Sequence, residues 1–331
     1  MPGITFIAWV KYQHRVEVLS QHLGATRFFI LRGKRGSRWY LPLAYLQQFV
    51  ETLRILHQEK PQIILVQNPP IFTVIPVYLY CLLFKSKFAI DSHTSAFTPN
   101  EWGWSMPLHR WLSRSALLTI VHNEQLGQIV EGWGCRYAVL GEYPGKILEW
   151  EDFPVRPGYN VAVISSFAPD EPLDRVFHAA QQLPEVNFYV TGDAARMPPA
   201  FVAIQPSNIH LTGFLPKGQY FGLLRSADAV LALTTRDGTI LSGANEAIST
   251  GVPLIVSDWP LLRSLYSGGT VYVSNTAEGI LQGVIESRER NVVLRGEMQG
   301  LQARLLEEWD TAFMGVKKVL DEACSNGRGK R

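Results

Sequence analysis

Apolar residues fall into short runs that alternate with longer amphipathic stretches from the N-terminus onward. The runs predict β-strands, and the stretches, whose apolar positions follow the helical period, predict α-helices. This alternation is typical of a parallel sheet with helices on both faces. The predicted strands of the first half are Ile4–Val10, Arg27–Leu31, Ile63–Val66, Phe88–Asp91 and Leu118–Val121, and the predicted helices are Arg15–Leu23, Pro42–Glu59, Thr73–Phe84, Pro107–Ser115 and Glu124–Gly132.

The second half repeats the same rhythm and closes with a long predicted helix, Asn291–Ala323. Its strands are apolar nearly throughout, as expected when helices cover both faces of a sheet. The predicted strands are Val161–Ser165, Asn187–Thr191, Ile209–Thr212, Ala229–Leu233, Pro253–Val256 and Thr270–Val273, and the predicted helices are Pro172–Gln182, Gly218–Arg225, Gly243–Thr250, Trp259–Ser267 and Thr276–Ser287.

The stretch Tyr143–Tyr159 follows neither period, and its prolines and glycines favour a linker. A chain of 331 residues also exceeds what one hydrophobic core usually organises. We therefore predict two Rossmann-like, doubly wound α/β domains, residues 1–150 and 151–331, facing each other across a cleft. The final helix is expected to return to the first domain. Ligands of such sheets bind outside the carboxyl ends of the strands.

Composition indicates a globular chain, with 47% apolar and 18% charged residues. The three cysteines are far apart and form no CxxC motif, so we expect no disulfide framework, no zinc site and a cytoplasmic location. We also expect no other metal and no cofactor. We also expect no secretory leader. The longest apolar run, Ile71–Phe84, contains Pro76 and is too short to span a bilayer.

Charge is divided unevenly along the chain. Residues 1–150 hold 15 Lys and Arg against 9 Asp and Glu, a net +6, whereas residues 151–331 hold 16 against 20, a net −4. A basic first half suits an anionic membrane surface or a phosphate-bearing substrate. Scattered, solvated charge is the alternative interpretation.

A polar loop, Thr234–Gly243, lies between the predicted strand Ala229–Leu233 and a helix. Its backbone N–H groups and the positive end of the helix dipole suit a diphosphate, and Thr239 and Ser242 add hydroxyl donors. Glu246, one turn into the helix, is a candidate to accept the hydroxyl groups of a ribose. Alternatively, Glu246 only complements the helix dipole and the small residues only cap the helix.

Other loops of the second half carry weaker signals. Ser165–Pro169 forms its first loop, after which Asp170 or Glu171 is expected to cap a helix. Phe214 follows a strand, where it either packs on a nucleobase or belongs to the core.

In the first half, His14 and Arg15 follow the first strand, and Asp91 and His93 end the fourth. Arg15 suits a phosphate through paired hydrogen bonds, the alternative being a solvated basic turn. An Asp and a His at a strand end are candidate acid–base groups, the alternative being a histidine satisfied within its loop. No GxGxxG motif follows the first strand, which argues against a dinucleotide oxidoreductase.

Four aromatic residues crowd the stretch Phe97–Trp111, among them Trp102 and Trp104. They are candidates to hold a sugar ring or a lipid chain. The alternative is a compact loop packed by its own side chains.

At these residues the second half resembles the donor domain of retaining glycosyltransferase family 4 and related enzymes of the GT-B fold. Glu246 matches the second acid of that family's paired acidic motif, and Gly251–Ser257 (GVPLIVS) matches the strand after it. The first acid departs from the pattern, because Gly238 stands at its spacing and Asp237 one position earlier. The resemblance implies a GT-B glycosyltransferase but leaves the retaining mechanism open.

The first half resembles the chitobiosyldiphosphodolichol beta-mannosyltransferase group in Ile64–Pro70 (ILVQNPP) and Lys87–His93 (KFAIDSH). That group inverts configuration, uses GDP-mannose and acts on a polyprenyl-diphosphate glycan. The chain reads Asp-Ser-His-Thr where the group has Asp-Trp-His-Asn.

The two resemblances together imply transfer of a hexose, with mannose one option, from a nucleoside-diphosphate sugar to a glycan or polyprenyl-diphosphate-linked acceptor without a metal. The alternatives are a nucleotide-sugar epimerase of the same fold and a scaffold that binds nucleotide sugars without turnover. No nucleic acid is expected as partner, and we expect peripheral contact with the inner face of the plasma membrane. The candidate catalytic residues are His93 and Asp91, and Arg236 or Arg263 is expected beside the leaving diphosphate. The candidate donor-binding residues are Arg15, Phe214, Asp237, Gly238, Thr239, Ser242, Gly243 and Glu246. The candidate acceptor-binding residues are His14, Asn68, Trp102 and Trp104.

Overall fold

The computed structural model describes residues 3–32, 41–98, 102–145, 149–199, 201 and 205–328. The chain forms two compact units. The first comprises the residues up to Tyr143 together with those from Glu308 onward, and the second runs from Pro144 to Glu307. The division thus lies at the start of the predicted linker rather than at residue 150.

The first unit is built on a six-stranded parallel sheet of order β2-β1-β3-β4-β5-β6. Helices cover both faces, which explains why most of the central strands are buried along their whole length. The strands are β1 Ile4–Ala8, β2 Thr26–Phe29, β3 Ile63–Asn68, β4 Lys87–Ser92, β5 Thr119–Val121 and β6 Tyr137–Val139, and the helices are α1 His14–Leu23, α2 Leu41–Glu59, α3 Val74–Phe84, α4 Met106–Ser113 and α5 Glu124–Gly132.

The second unit holds another six-stranded parallel sheet, of order β12-β11-β10-β7-β8-β9. Counted from its own first strand, this is the Rossmann order, which reverses direction between β7 and β10. The strands are β7 Tyr159–Val163, β8 Val186–Thr191, β9 Ile209–Gly213, β10 Ala229–Ala232, β11 Leu254–Ser257 and β12 Thr270–Val273, and the helices are α6 Leu173–Gln181, α7 Lys217–Ser226, α8 Ser242–Thr250, α9 Pro260–Leu265, α10 Ala277–Glu289 and α11 Asn291–Arg328.

The predicted strands and helices all occur, with ends that shift by up to two residues except at the C-terminal end of α11, which lies five residues beyond the predicted Ala323. The prediction missed one strand, β6. It has three residues, all half-buried, because it lies at the edge of the sheet. So short a run gives no usable period in the sequence. Helix α11 begins in the second unit, and from Glu308 onward it belongs to the first.

Each sheet separates two layers of core. In the first unit, α2, α3 and α4 cover one face through Leu56, Val77 and Leu112, which pack with apolar residues of the central strands. The opposite face packs against α1 and the C-terminal part of α11, which contributes Trp309 and Phe313. The second unit is layered in the same way.

Gly222 in α7 permits a close contact with the segment that leads into β7. A Cβ atom at Gly222 would lie 1.8 Å from the backbone oxygen of Glu151, so the segment cannot stay in place beside any larger residue. Gly222→Ala should therefore lower the free energy of unfolding by about 1–3 kcal/mol, as overpacking does elsewhere. Urea unfolding measures this change.

Gly296→Ala is the matched control, because it is also a helical glycine but has no atom within 4 Å of its added Cβ. That substitution should raise stability by up to about 1 kcal/mol through helix propensity. Equal effects of the two substitutions would show that the contact with Glu151 does not constrain the helix.

Candidate active site

The polar candidates of the first unit gather at the carboxyl ends of neighbouring strands. Asp91 lies near the end of β4, and His93 follows that strand directly. His122 follows β5, which pairs with β4. Arg15 lies in the first turn of α1, after β1. Strands of a parallel sheet all end at the same edge, so the topology itself brings these four side chains together.

Asp91 and Arg15 form a buried ion pair. The Nε–H of Arg15 donates to the two carboxylate oxygens of Asp91 at 3.0 and 3.1 Å. The remaining guanidinium nitrogens donate to the backbone oxygens of Leu140 and Gly141, just after β6. Burial alone would raise the pKa of Asp91, but Arg15 and then His93 outweigh it and hold that pKa well below its usual range.

These hydrogen bonds of Arg15 all go to residues of the first unit. Arg15 is almost completely buried, and its contacts join α1 to β4 and to the residues after β6. This position disfavours the predicted contact with a donor phosphate. We assign Arg15 to holding Asp91 ionised. Asp91 is correspondingly a weak proton acceptor, because a carboxylate with a depressed pKa binds protons poorly.

His93 is the side chain of the group best suited to move a proton. Its Nε2 lies 3.4 Å from a carboxylate oxygen of Asp91, and its side chain remains partly exposed. A carboxylate beside Nε2 favours the tautomer protonated there, which leaves Nδ1 as the base. Its backbone is fixed as well, since His93 N donates to the oxygen of Asn68 at 2.8 Å.

His122 packs against His93, with ring centroids 4.7 Å apart. Burial, followed by the charges of Arg15 and His93, lowers the pKa of His122 well below its usual value. His122 is thus a neutral neighbour at physiological pH. Its Nδ1 lies 3.9 Å from a carboxylate oxygen of Glu142. Sequence reasoning missed His122, although it predicted the strand Leu118–Val121 directly before it; the position of His122 at the end of that strand was the available signal.

Asp91, His93 and His122 could together hold a metal ion, since one ligand atom from each lies within 4.8 Å of the others. Nitrogen and carboxylate ligands in this combination suit zinc. The guanidinium group of Arg15 contacts both oxygens of Asp91, however, and a fixed positive charge there opposes a second cation. The arrangement favours proton transfer over metal binding.

The predicted acceptor contact of Asn68 does not fit the structure. Asn68 is buried at the end of β3. Its side-chain amide lies 3.3 Å from Ser92 Oγ and 3.2 Å from His109 Nε2. Burial also lowers the pKa of His109, to about 4. Asn68 therefore ties β3 to β4 and α4 and is unable to reach a ligand.

The other predicted acceptor residues lie at the surface. His14 begins α1 and is half-buried, with its Nδ1 3.5 Å from the hydroxyl of Tyr12. Trp102 and Trp104 stack with centroids 5.9 Å apart, and both contact Phe72. Trp104 is mostly exposed. Among the alternatives for this aromatic loop, self-packing holds for Trp102, whereas Trp104 remains open to an apolar partner.

In the second unit, the loop after β10 leads into α8, beside the point where the strand order reverses. The residue before α8, Leu241, has no side chain that caps the helix. The first N–H groups of a helix need a partner, and an anion supplies one. Ser242 is exposed at this end, and Gly243 lies against Ile164, where a Cβ would come within 2.7 Å of the isoleucine. The glycine lets the helix start close to β7.

Glu246 lies on the second turn of α8 and accepts a hydrogen bond from the hydroxyl of Tyr220 in α7. Burial, followed by the charge of Glu246, raises the pKa of Tyr220 well above its usual value. Tyr220 therefore remains a donor and orients one oxygen of the carboxylate. Sequence reasoning did not predict this pair, because the two residues belong to helices separated by β10.

The remaining donor candidates surround the same loop. Asp237 Oδ1 accepts from the backbone N–H of Gly238, whose φ of 75° suits glycine. Thr239 is half-buried in the loop. Phe214, after β9, is 85% exposed, which excludes the core interpretation and leaves its face free to stack.

The first loop of the second unit is filled by a carboxylate of the chain. Glu171 does not cap α6 as one prediction held. It accepts hydrogen bonds from the backbone N–H groups of Ser166 and Ala168 and from the hydroxyls of Ser165 and Ser166. These donors are therefore already satisfied. A diphosphate is better served by the open start of α8.

The two arginines considered for the leaving diphosphate differ. Arg263 donates to the carboxylate of Asp258 and lies over the ring of Tyr272. Arg236 is mostly exposed in the loop before α8, 3.7 Å from an oxygen of Asp170. Asp170 also accepts from the hydroxyl of Thr234 and so joins the loops that follow β7 and β10. Arg236 is the more available cation.

Comparison with known proteins bears on the second unit directly. Residues 173–312 match a family model described as glycosyl transferase-like. This segment contains β10, the loop and α8. No curated protein sequence matches the chain significantly.

Solved structures match over almost the whole chain. A sucrose-phosphate synthase from Thermosynechococcus elongatus is 12% identical, with a TM-score of 0.72 over 98% of this chain and 100% of that one. HepE from Anabaena, in complex with UDP and glucose, is 12% identical, with a TM-score of 0.70 over 97% and 100%. The chain has the GT-B fold.

The GT-B fold also occurs in a different class of enzyme. A candidate UDP-N-acetylglucosamine 2-epimerase from Listeria monocytogenes is 12% identical, with a TM-score of 0.63 over 95% of this chain and 98% of that one. The fold is therefore shared by transferases and an epimerase, and the reaction has to be argued from the site.

Within the described residues, no helix is both long and apolar enough to cross a membrane.

Proposed function

We propose that the protein is a glycosyltransferase that moves a hexose from a nucleoside-diphosphate sugar to a hydroxyl group of a glycan or lipid-linked acceptor. The observation that carries this proposal is the open start of α8, followed one turn later by Glu246, within the segment that matches the glycosyl transferase-like model. We propose that the reaction needs no metal and takes place in the cytoplasm.

The donor would bind to the second unit. The N–H groups at the start of α8, with Thr239 and Ser242, would hold the diphosphate. The carboxylate of Glu246 would accept the ribose hydroxyls, and Phe214 would stack on the base. Arg236 and the helix start would stabilise the negative charge that grows on the leaving diphosphate, which is the role a metal has in other transferases.

The acceptor would be activated by the first unit. Nδ1 of His93 would take the proton from the acceptor hydroxyl as its oxygen attacks the anomeric carbon. The bond from that carbon to the phosphate oxygen breaks, and the nucleoside diphosphate leaves with the electron pair. Asp91 would stabilise the protonated imidazole, and Arg15 would hold Asp91 in place.

UDP is the first nucleotide to test. HepE, which is similar in fold, is recorded with UDP, with UDP-glucose and with UDP and glucose. GDP-mannose remains the alternative that the resemblance of the first half implies. The substrate panel therefore needs both UDP-sugars and GDP-mannose.

Glu246→Gln should weaken nucleotide-sugar binding about 10- to 100-fold, because hydrogen bonds to a charged group contribute about 1.5–3 kcal/mol. Calorimetric titration measures the change in Kd. Glu278→Gln is the matched control, since Glu278 is an exposed acid in the first turn of α10. Equal affinities of the Glu246 variant and the control would remove Glu246 from the donor site.

Product analysis separates the proposed transferase from its rivals. A transferase releases nucleoside diphosphate at a rate that increases with acceptor concentration. An epimerase, which the Listeria structure makes the second candidate, converts the sugar nucleotide with no acceptor. A scaffold binds the nucleotide sugar and turns over neither substrate. Chromatography of the nucleotide products, with and without acceptor, distinguishes these outcomes.

A further inference from the structure

Helix α3 exposes apolar residues that a water-facing helix usually lacks. Its inner face packs Val74, Val77 and Tyr80 into the core. Its outer face presents Leu79, Leu82, Leu83 and Phe84, of which Leu82 is 62% and Leu83 76% exposed. Contiguous exposed side chains of this size mark a surface that meets an apolar partner.

The neighbouring helices extend this surface on both sides. Trp111 of α4 is exposed and packs edge-on against Tyr78 of α3, with ring centroids 4.9 Å apart. On the other side, Phe84 contacts His57 of α2. Helix α2 adds three exposed apolar residues at helical spacing, Leu43, Leu46 and Val50. All three helices pack on the same core layer, so their outer faces adjoin.

The charged residues on α3 and α4 and directly after these two helices are all basic, whereas α2 carries both signs, with Glu51, Arg54 and the exposed Glu59. Lys85 follows α3, and Arg110 and Arg114 flank Trp111; all three are exposed. Between residues 61 and 123, excluding 99–101, which the structure does not describe, the only acid is Asp91, and it is fully buried. Basic side chains around leucine and tryptophan complement anionic headgroups over an acyl layer.

We propose that the outer face of α3 with Trp111, hereafter the α3 face, docks on an anionic lipid bilayer. The leucines and Phe84 would enter the acyl boundary, Trp111 would lie at the headgroups, and Lys85 and Arg110 would contact the phosphates. The contact is peripheral. A role for this membrane contact in bringing a lipid-linked acceptor to the first unit rests on the function proposed above.

Vesicle flotation tests this surface. The full-length protein should bind vesicles that contain one-third phosphatidylglycerol at least 10-fold more strongly than pure phosphatidylcholine vesicles. Leu82→Gln/Leu83→Gln should lower the partition coefficient for the anionic vesicles at least 10-fold. Val292→Gln/Val293→Gln is the matched control, because these exposed valines lie in α11, far along the chain, with Val292 at 86% exposure. The control should bind like the wild type.

Several results would overturn the proposal. Equal binding of the leucine variant and the wild type would exclude the α3 face, and equal binding to both vesicle types would exclude recognition of anionic lipid. A concentration-dependent dimer that the leucine substitutions abolish, with no vesicle binding, would assign the surface to a second copy of the chain.

Failure of this proposal can be told apart from failure of the proposed function. The nucleotide-induced shift in Tm is measured on the same variants without vesicles, and it should be the same in all of them. If the wild type floats with vesicles but shows no shift in Tm with any nucleotide, the membrane surface is supported and the transferase function is contradicted. If a nucleotide shifts the Tm but the protein does not float, the nucleotide site is supported and the membrane surface is contradicted.

Discussion

His93→Ala should lower the rate of glycosyl transfer about 10²- to 10⁴-fold, the range that a positioned general base usually contributes. The reason is geometric. His93 is the imidazole of the group whose Nε2 lies 3.4 Å from a carboxylate oxygen of Asp91. The carboxylate beside Nε2 leaves Nδ1 to accept a proton. Asp91 itself is buried and held ionised by Arg15.

The measurement is the steady-state rate of nucleoside diphosphate release at saturating donor. Donor affinity and Tm should stay close to those of the wild type, because His93 belongs to the first unit, the proposed donor loop belongs to the second, and the His93 side chain is not part of a hydrophobic core cluster. His178→Ala serves as control, since His178 is exposed on α6. A His93 variant that keeps more than a tenth of the wild-type rate would exclude the histidine as the base.

Arg15→Met should lower the free energy of unfolding at pH 7 by about 3–5 kcal/mol, the usual result of removing one partner from a buried ion pair. The substitution leaves the Asp91 carboxylate without its counter-ion, and it also removes the donors to Leu140 and Gly141. Asp91→Asn on top of Arg15→Met should recover part of the loss, because the uncompensated charge is then gone.

The effect of Arg15→Met should also depend on pH. In the wild type, the pKa of Asp91 is lowered on folding, so the ion pair contributes stability above the unfolded pKa of about 3.9 and loses it as pH falls further. In the variant, burial without Arg15 should raise the pKa of Asp91, so protonation relieves the buried charge as pH falls. Urea unfolding at pH 7 and at about pH 4.5 should show a smaller difference at the lower pH, and a constant difference would contradict this account.

The sequence predicted the sheets well because helices cover both faces of each one. Long buried strands such as β3 then appear as continuous apolar runs, and a helix such as α5 is bounded by a capping residue, Asn123, whose side chain accepts from Leu126 N. The edge strand β6 was missed because three half-buried residues carry little pattern. Without β6, the carbonyl partners of Arg15 were unpredictable, and the arginine looked available for a phosphate.

The sequence indicated which loops carry the candidate residues, but it did not predict the side chains that contact them. Loop position made Ser242, Glu246 and His93 candidates, since the loops after parallel strands lie at the same edge of a sheet. Their partners come from elsewhere in the chain. Tyr220 reaches Glu246 from another helix, and His122 reaches His93 from another strand. The amide of Asn68 turns inward to Ser92 because β3 and β4 pair at that point. Such contacts depend on tertiary packing and leave no local pattern.

The most direct test of the account is a thermal-shift panel, without metal, of UDP, GDP, ADP and their sugar conjugates on the wild type and Glu246→Gln. A ligand at 100 times its Kd adds about 2.7 kcal/mol of stability, which is readily measured. The account predicts a rise in Tm with one nucleotide family, UDP first, that is lost or strongly reduced in the variant. No shift of the wild type with any nucleotide would contradict the claim that α8 and its loop form a nucleotide-sugar site.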